Sequence, residues 1–211
     1  MILRVLFDED SVVVVNKPAG LESTGRTPDD PGGAQHHLQR QLGRRLWLVH
    51  QLDRHTSGLL VFVRKRSLVA PMSERTRVAN GADKRYLAIV RGHVTAPQRV
   101  KAPLAYDRSS RRWVVRDGGK PALTVFSPRA EGDDVTLLEA ELRTGRTHQI
   151  RVHAAHLGHP LLGERRYADC RRAPRQALHA WRLRLSDGLR FEAPVPEDLR
   201  VVAAKVGLAL P

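Results

Sequence analysis

The sequence predicts an α+β fold with a mostly antiparallel or mixed sheet and flanking helices. Three observations favour this class. Short strand-like segments predominate along the chain, several with alternating apolar residues. Helical patterns occur singly between them, and there is no regular succession of strand, helix and strand of the kind that builds a doubly wound sheet. The 211 residues suffice for a substantial core and show no internal repeat and no long linker. We therefore expect residues 1–211 to form a single domain.

The N-terminal half contains four segments whose composition predicts regular structure. They are a strand over Val12–Val15, a helix over Gln35–Leu42, a strand over Leu59–Val63 and a helix over Ser67–Ala79. The first strand is a β-branched run that ends in a turn over residues 16–20. Residues 22–33 are rich in Gly, Pro, Thr and Asp and are predicted to form a loop. Ser67 is the expected cap of the fourth segment, although Pro71 lies inside it.

The C-terminal half contains a larger set of such segments. They are strands over Lys84–Val90, Leu123–Phe126 and Val135–Leu142, a hairpin of Leu183–Leu185 with Leu189–Phe191, and helices over Thr147–Leu157 and Glu197–Val206. The hairpin is indicated by the turn sequence Ser-Asp-Gly between its strands. Between the first two strands, a basic region up to Gly119 contains Tyr106 and Trp113 and is rich in turn-forming residues. Glu197–Val206 follows Pro196, a residue often found where helices begin.

The composition favours a polyanionic partner. Lys plus Arg number 36 against 22 Asp plus Glu, which gives a formal net charge of +14. Phosphate neutralisation supplies much of nucleic-acid affinity, so RNA or DNA is one explanation; a ribosomal-type structural protein or a basic proteome are others. One cysteine, Cys170, excludes an internal disulfide and a cysteine-based zinc site. No leader-like segment and no long apolar stretch occurs, so we expect a cytoplasmic protein without a membrane span.

The segment from His50 to Leu60, HQLDRHTSGLL, crowds polar residues into a short stretch that continues into a predicted strand. Loops carried on rigid strands commonly hold catalytic groups. The acidic residue here is Asp53, with Arg54 beside it and two histidines nearby. A carboxylate held by cations keeps its charge at neutral pH, as a nucleophile or general base requires. The alternative is that Asp53 caps a turn and Arg54 is solvated.

The predicted helix over Thr147–Leu157 has Thr147 as its cap, with Gly158 and Pro160 beyond its end. Its N-terminal amides and dipole would favour an anion, either an RNA phosphate or a carboxylate. Arg151 stands in its first turns. Four histidines occur between positions 148 and 159, but their spacing lacks the i, i+4 pair of zinc hydrolases. RNA contacts or surface positions explain these histidines more simply.

Four motifs, in order, resemble those of the RluA family of pseudouridine synthases. The His50–Leu60 segment is similar to the family signature HRLDxxTSGLL. The other three are DEDSVVVVNKPAGL from Asp8, KRYLAIVRG from Lys84, and LRTGRTHQIRVHAAHLGHPLLG from Leu142, which resemble the opening, tyrosine and arginine motifs. The resemblance extends from Asp8 to about Pro196. It implies the pseudouridine-synthase fold, with a bent central sheet and a catalytic cleft across its middle. No S4 RNA-binding domain precedes Asp8, so we expect a stand-alone catalytic domain.

The resemblance also implies a reaction, the isomerisation of uridine to pseudouridine in ribosomal or transfer RNA. It makes Asp53 the nucleophile or base, Tyr86 the residue that stacks on the flipped base, and Arg151 the ionic partner of Asp53. Bonds broken and formed balance within one substrate, so we expect no cofactor and no metal, and we expect a monomer. Further RNA contacts are expected from Gln51, Arg54, Lys17, Lys84, Arg146 and His148.

Three positions depart from the family pattern. Gln51 stands where the family usually has Arg, His55 where an acidic residue is common, and Glu164 where Asp usually follows HPLLG. An arginine at position 51 could fill the space left by a flipped base, so its replacement bears on how flipping occurs. None of the changes removes Asp53, Tyr86 or Arg151. A non-catalytic RNA-binding protein of the same fold is the alternative to an enzyme.

Overall fold

A computed structural model describes residues 1–9 and 11–211; Asp10, in the opening motif, lies outside the described residues. In chain order the elements are β1 (Arg4–Glu9), β2 (Val12–Lys17), α1 (Ala34–Leu42), β3 (Trp47–Leu48), β4 (Ser57–Val63), α2 (Val69–Arg75), β5 (Asp83–Arg91), β6 (Gln98–Lys101), β7 (Leu104–Asp107), β8 (Arg112–Val115), β9 (Leu123–Gly132), β10 (Val135–Leu142), α3 (Gln149–His156), β11 (Leu178–Arg184), β12 (Arg190–Glu192) and α4 (Glu197–Ala204). They fall into two compact units. Unit 1 is Met1–Ala82 with Ala180–Pro196, and unit 2 is Asp83–His179 with Glu197–Pro211.

Unit 1 is built on sheet strands that pair antiparallel where β1 meets β2, β2 meets β4, β3 meets β4 and β11 meets β12. Its strand order is β1, β2, β4 and β11, with β12 on β11 and β3 on β4. All seven residues of β4 are buried, as are five of the six in β2, Val12 to Val15 and Lys17. The buried aliphatic side chains pack with Met72 of α2 and with Phe191, which reaches them from β12. A strand buried on both faces gives the residues after and before it a rigid support.

The helices of unit 1 partly correct the sequence prediction. The predicted helix over Gln35–Leu42 is confirmed as α1, and Leu38 is fully buried while Leu42 is half-buried. The prediction of one helix over Ser67–Ala79 is wrong. The segment divides into a 3-10 turn, α2 and a second 3-10 turn, and α2 begins after Leu68 without a side-chain cap. Pro71 thereby occupies the first turn of α2, where no amide donor is needed.

Unit 2 contains the neighbouring strands β5, β10, β9 and β6, in that order, and each pairs antiparallel with the next. The central pair is long and regular, with Tyr86 opposite Ala140 and Lys84 opposite Leu142. One face packs as a core cluster that includes Phe126 of β9 and Ile150 of α3. Strands β6, β7 and β8 lie in the basic region before Gly119, for which the sequence predicted turns and no strands. The prediction for this region is therefore incomplete. Strands of four residues are too short for alternation to distinguish them from turns.

The last helices of unit 2 follow the predicted positions more closely. Helix α4 begins directly after Pro196, as expected. Helix α3 ends near Leu157, and Gly158 follows with a positive φ of 82°. Its start differs, because the residue before the first helical one is His148, in the left-handed conformation, and Thr147 is not the cap. The chain is therefore α+β, as predicted from its pattern of strands. No helix among residues 1–9 and 11–211 is long and apolar enough to cross a membrane.

Candidate active site

The Asp53 loop joins β3 to β4 in unit 1. Leu52 and Thr56 are buried, whereas Asp53 is half-buried, and Gln51 and Arg54 are exposed. The Thr56 amide donates to the Asp53 carbonyl oxygen over 3.0 Å, which closes a turn just before β4. Buried residues on both sides of Asp53 thus anchor a short turn whose polar side chains reach the surface. This is the arrangement expected of a loop that presents a reactive carboxylate.

Two pairs of reciprocal hydrogen bonds fasten this loop to the segment after β2. The buried Ser23 hydroxyl accepts from the Leu52 amide over 2.8 Å and donates to the Leu52 carbonyl oxygen over 3.0 Å. The Gly20 amide donates to the Arg54 carbonyl oxygen over 2.9 Å, and Arg54 Nε donates back to the Gly20 carbonyl oxygen over 2.9 Å. Both neighbours of Asp53 in the chain are therefore fixed by main-chain contacts, which limits the movement of its carboxylate.

Lys17, which was predicted to contact RNA, is instead part of this support. Its side chain is fully buried at the end of β2. Its ammonium group donates to three carbonyl oxygens, those of Pro18 at 2.9 Å, Leu21 at 2.7 Å and Arg54 at 3.2 Å. A fully buried ammonium has no surface for a phosphate, so the predicted RNA contact is wrong. Three carbonyl groups around one cation compensate its loss of water, and they tie the turn after β2 to the Asp53 loop.

The first residues of β4 also restrict the loop. Gly58 lies opposite Lys17 in the pairing of β2 with β4 and has a φ of 116°. A Cβ atom at this position would lie 2.2 Å from the carbonyl oxygen of Ala180. Only glycine combines this backbone conformation with so close an approach of a neighbouring strand. The glycine of the TSG motif therefore allows β4, the strand that follows the Asp53 loop, to pack directly on β11.

In unit 2, Lys84 and Tyr86 lie on one face of β5 because side chains alternate along a strand. Tyr86 is half-buried and packs against the core cluster of this sheet. Burial lowers the pKa of Lys84 to about 8, so its ammonium loses a proton more readily than a solvated lysine would. An anion placed next to it would raise this pKa again, because it favours the charged form. The next residue, Arg85, lies on the opposite face, where its guanidinium binds Glu139 at 2.5 Å.

Arg151 lies in the first turn of α3 and is almost fully buried, with 8% of its surface exposed. Its Nε donates to Glu164 Oε2 and its Nη2 donates to Glu164 Oε1, each over 2.9 Å. Its guanidinium also lies over the ring of Tyr167 in a cation–π contact, with 5.2 Å from Cζ to the ring centroid. A two-pronged ion pair and an adjacent aromatic ring together restrict the movement of the guanidinium. The ion pair with Asp53 stays a prediction.

The other two predicted RNA contacts of unit 2 precede α3. Arg146 is exposed, and its Nε donates to the Pro121 carbonyl oxygen over 3.0 Å. His148 is half-buried, with its Nδ1 2.5 Å from the Tyr167 hydroxyl. The buried Gln149 side chain accepts from the Arg146 amide over 3.0 Å, so this amide already has an acceptor. The sequence predicted free amides before this helix for an anion, and the Arg146 amide is not one of them.

The histidines of this region do not form one group. His153 is fully buried, with Nδ1 2.9 Å from Thr124 Oγ1 and Nε2 2.9 Å from the Ala102 carbonyl oxygen. Burial lowers the pKa of His153, so it is a neutral core residue. The expectation of a surface or RNA-contacting histidine is wrong at this position. His156 is exposed. Within residues 1–9 and 11–211, no three His, Cys, Asp or Glu side chains are grouped as a metal site would require.

Sequence reasoning missed three residues that shape this site. Ser23 fixes Leu52, and Glu164 with Tyr167 surrounds Arg151. The sequence indicated Glu164 only as a departure from the family motif. Tyr167 follows it after two arginines in the sequence ERRY. Nothing in the local pattern distinguishes these side chains from solvated surface residues. Their partners lie between 13 and 29 positions away in the chain for the contacts of Glu164 and Ser23.

Comparison with known proteins identifies relatives along most of the chain. The family described as RNA pseudouridylate synthase matches residues 11–156. A ribosomal large subunit pseudouridine synthase D from Nitrosomonas europaea is 36% identical over 222 aligned residues, which cover 93% of this chain and 63% of the relative. A ribosomal large subunit pseudouridine synthase C from Yersinia pestis is 37% identical, with 93% and 67% covered. The chain thus spans about two thirds of the length of these relatives.

Solved structures give the same result. Human RNA Pseudouridylate Synthase Domain Containing 1 matches with a TM-score of 0.78 and 25% identity over 92% of this chain and 84% of that one. Human RNA Pseudouridylate Synthase Domain Containing 4 matches with a TM-score of 0.82 and 22% identity, covering 99% and 94%, which supports the fold. The predicted resemblance and fold are confirmed. This chain belongs to the RNA pseudouridylate synthase family.

Proposed function

We propose that this protein isomerises uridine to pseudouridine within RNA. The observation that carries the proposal is the setting of Asp53, in a chain of this family. The residues on either side of Asp53 are fixed by Ser23, Gly20 and Lys17, while its own side chain is partly open to solvent. A reactive carboxylate needs both properties, because it must be accessible and it must be held in a defined position.

The reaction rearranges one nucleotide without a second substrate. The bond between N1 of uracil and C1′ of ribose breaks, the base turns, and a bond between C5 and C1′ forms. The proton on C5 is lost and N1 gains one, so atoms balance within the substrate. In this proposal Asp53 starts the sequence, as the nucleophile or as the base that leads to cleavage of the N1–C1′ bond. The target base must first leave the stack to reach the carboxylate.

Tyr86 and Arg151 complete the proposed machinery. Tyr86 offers a half-buried aromatic ring on which a flipped base could stack, an interaction of roughly 1–3 kcal/mol per base. Arg151 is the proposed ionic partner that keeps Asp53 charged and oriented. The rigid setting of its guanidinium, between Glu164 and Tyr167, suits that purpose. Both residues lie in unit 2, in the motifs that resemble the tyrosine and arginine motifs of the RluA family.

RNA affinity in this proposal comes from charge and from exposed polar side chains. The formal net charge of +14 favours a polyanion. Gln51, Arg54 and Arg146 are exposed, and we propose them as contacts to the RNA, together with Lys84 and His148. The curated relatives are named as ribosomal large subunit enzymes, which favours large-subunit ribosomal RNA over transfer RNA as the first substrate to test.

The test is chemical mapping of pseudouridine in total RNA. Carbodiimide labelling followed by primer extension should reveal one or more sites that disappear when the gene is deleted and return with the wild-type gene. Asp53→Asn should not restore them. Asp29→Asn is the matched control, since Asp29 is an exposed carboxylate of unit 1 that accepts only from Gln39 at 3.3 Å among the described contacts. It should restore modification fully.

Two outcomes would contradict the proposal. Turnover by the purified Asp53→Asn protein would remove the assigned role of this carboxylate. A wild-type protein that binds RNA but leaves every uridine unchanged would favour the alternative, an RNA-binding protein that keeps the fold. The glutamine at position 51 favours that alternative, because the RluA family usually has arginine at this position.

We also propose that the enzyme acts as a cytoplasmic monomer. The relatives named as ribosomal large subunit enzymes come from bacteria, whose ribosomal RNA is made in the cytoplasm. The proposed reaction needs one carboxylate, one tyrosine and one arginine, and a single chain supplies all three. Sedimentation at the enzyme concentration of the assay should give the mass of one chain, 23.6 kDa. A stable dimer under these conditions would contradict this part of the proposal.

A further inference from the structure

The guanidinium of Arg151 is surrounded by two side chains to which neither composition nor motif assigned a role in the reaction. Glu164 binds it edge-on through two hydrogen bonds of 2.9 Å. The centroid of the Tyr167 ring lies 5.2 Å from Cζ, within the range of a cation–π contact. The two hydrogen bonds fix the edge of the guanidinium that faces Glu164, and the Tyr167 ring occupies the space beside it. Together they restrict the rotation of the group.

Glu164 is itself held unusually firmly. Its side chain has no solvent exposure. Besides Nη2 of Arg151, its Oε1 accepts from the amides of Arg165, Arg166 and Tyr167 over 3.1, 2.9 and 3.3 Å. The preceding Gly163 has a φ of 75°, and a Cβ there would lie 1.9 Å from the Arg175 carbonyl oxygen. The main chain around Glu164 is thus closely packed, and the carboxylate has little freedom to follow a moving partner.

Burial by itself would raise the pKa of Glu164. The hydrogen bonds and charge of Arg151, with the amides of Arg166 and Tyr167, outweigh burial and hold the pKa below its ordinary value. The carboxylate is therefore charged at neutral pH, and it balances a buried guanidinium. Tyr167 is fixed as well, since it packs beside Val152 and Leu104 and its hydroxyl lies 2.5 Å from His148 Nδ1.

We propose that Glu164 and Tyr167 are positioning residues that set the orientation of the Arg151 guanidinium for the reaction. This inference rests on the proposed function, in which Arg151 holds the reactive carboxylate. Glu164 and Tyr167 act through Arg151 and do not touch the substrate. Glu164 stands where the RluA family usually has aspartate after HPLLG. Its longer side chain places the carboxylate that binds Arg151 one methylene farther from the backbone than aspartate would.

Glu164→Gln is the informative variant because its amide has nearly the same shape. The three main-chain amides will hold the carbonyl oxygen of the new side chain, which places its NH₂ group towards Nε of Arg151. Two donors then face each other, and the guanidinium must turn away. A displacement on the order of 1 Å in a reacting arrangement can reduce the rate about 100-fold. We expect a loss of that size in the single-turnover rate, with RNA Kd changed less than about 3-fold, since most of the affinity comes from charge elsewhere.

Glu139→Gln is the matched control. Glu139 is also a buried carboxylate of unit 2, bound by Arg85 and Arg129. It lies opposite Leu87, on the sheet face away from Tyr86. The two variants should lose similar thermal stability, but only Glu164→Gln should lose rate. Glu164→Asp, which keeps the charge, should retain more of the rate than Glu164→Gln, and Tyr167→Phe should keep nearly all of it while Tyr167→Leu should not.

A direct readout of Arg151 separates this inference from the proposed function. The Nε–H signal of Arg151 in a nitrogen–proton NMR spectrum should be slow to exchange in the wild type and in Tyr167→Phe. It should broaden or disappear in Glu164→Gln. A folded Glu164→Gln protein with the wild-type rate and an unchanged signal would overturn the positioning role while leaving Asp53 in place. An equal loss of rate in Glu139→Gln would also overturn it. If the wild type forms no pseudouridine, the proposed function fails, and the NMR signal still tests how Arg151 is held.

Discussion

Replacing Lys17 with methionine tests whether this lysine supports the Asp53 loop or contacts RNA. Methionine keeps the length of the buried stem and removes the ammonium. Three carbonyl groups, those of Pro18, Leu21 and Arg54, then lose their shared donor. None of them can be satisfied by the new side chain, because a thioether has no hydrogen to donate.

The size of the effect follows from these three contacts. A hydrogen bond to a charged group contributes about 1.5–3 kcal/mol, so the gross loss is roughly 4–9 kcal/mol. The buried ammonium also carries a desolvation penalty of several kcal/mol, which disappears with it. We expect a net loss of about 2–4 kcal/mol in the free energy of unfolding. For a protein of this size, that lowers Tm by roughly 5–15 °C.

The assays are thermal unfolding, the single-turnover rate, and RNA Kd as a function of salt. We expect a lower Tm and a slower rate, because the loop that carries Asp53 loses one of its supports. The slope of log Kd against log salt should stay the same. Lys65→Met is the control, since Lys65 is exposed in unit 1 and its loss removes one charge without disturbing the loop. An unchanged Tm for Lys17→Met, with a salt slope reduced by about one charge, would refute the buried support and restore the RNA contact.

Four further predictions concern other residues of the site. Tyr86→Leu should lose more binding of a flipped-base analogue than Tyr86→Phe, and equal losses would contradict stacking. Wild type should convert a uridine in a hairpin loop faster than one in a duplex stem, and Gln51→Arg should narrow the difference; equal rates on both RNAs for wild type would exclude this explanation. Gly58→Ala should lower the free energy of unfolding by about 2–6 kcal/mol, from backbone strain plus a collision, whereas Gly43→Ala, with φ of 64° and open space, should cost about 1 kcal/mol; similar losses would contradict the collision. Arg151 holds the pKa of Glu164 below its ordinary value. The stability that the Glu164 carboxylate contributes is therefore fully present at pH above the ordinary pKa, and it is lost as the pH falls through the lowered pKa. Glu164→Gln should accordingly flatten the acid side of a Tm–pH profile, and an unchanged acid side would contradict this.

The sequence alone determined the features of this protein that depend on local order. Alternating and β-branched runs predicted β2, β4, β5 and β10, because the tendency to form a strand depends mainly on the residue types within the strand itself. The polar segment around Asp53 could be identified because it runs directly into the buried strand β4. Four motifs in one order indicated the family, which the comparisons confirmed. Each of these signals is contained in a short window and needs no knowledge of distant neighbours.

Tertiary structure decided which polar side chains are buried and what they bind. Lys17 follows a strand and resembles any surface lysine in sequence, but the turn after it folds back and surrounds its ammonium with carbonyl groups. His153 faces the core, where Thr124 and Ala102 satisfy both ring nitrogens. Arg151 finds Glu164 across 13 positions of chain. Burial and hydrogen-bond partners depend on packing between residues that are distant in sequence. A local pattern of residue types therefore cannot predict them.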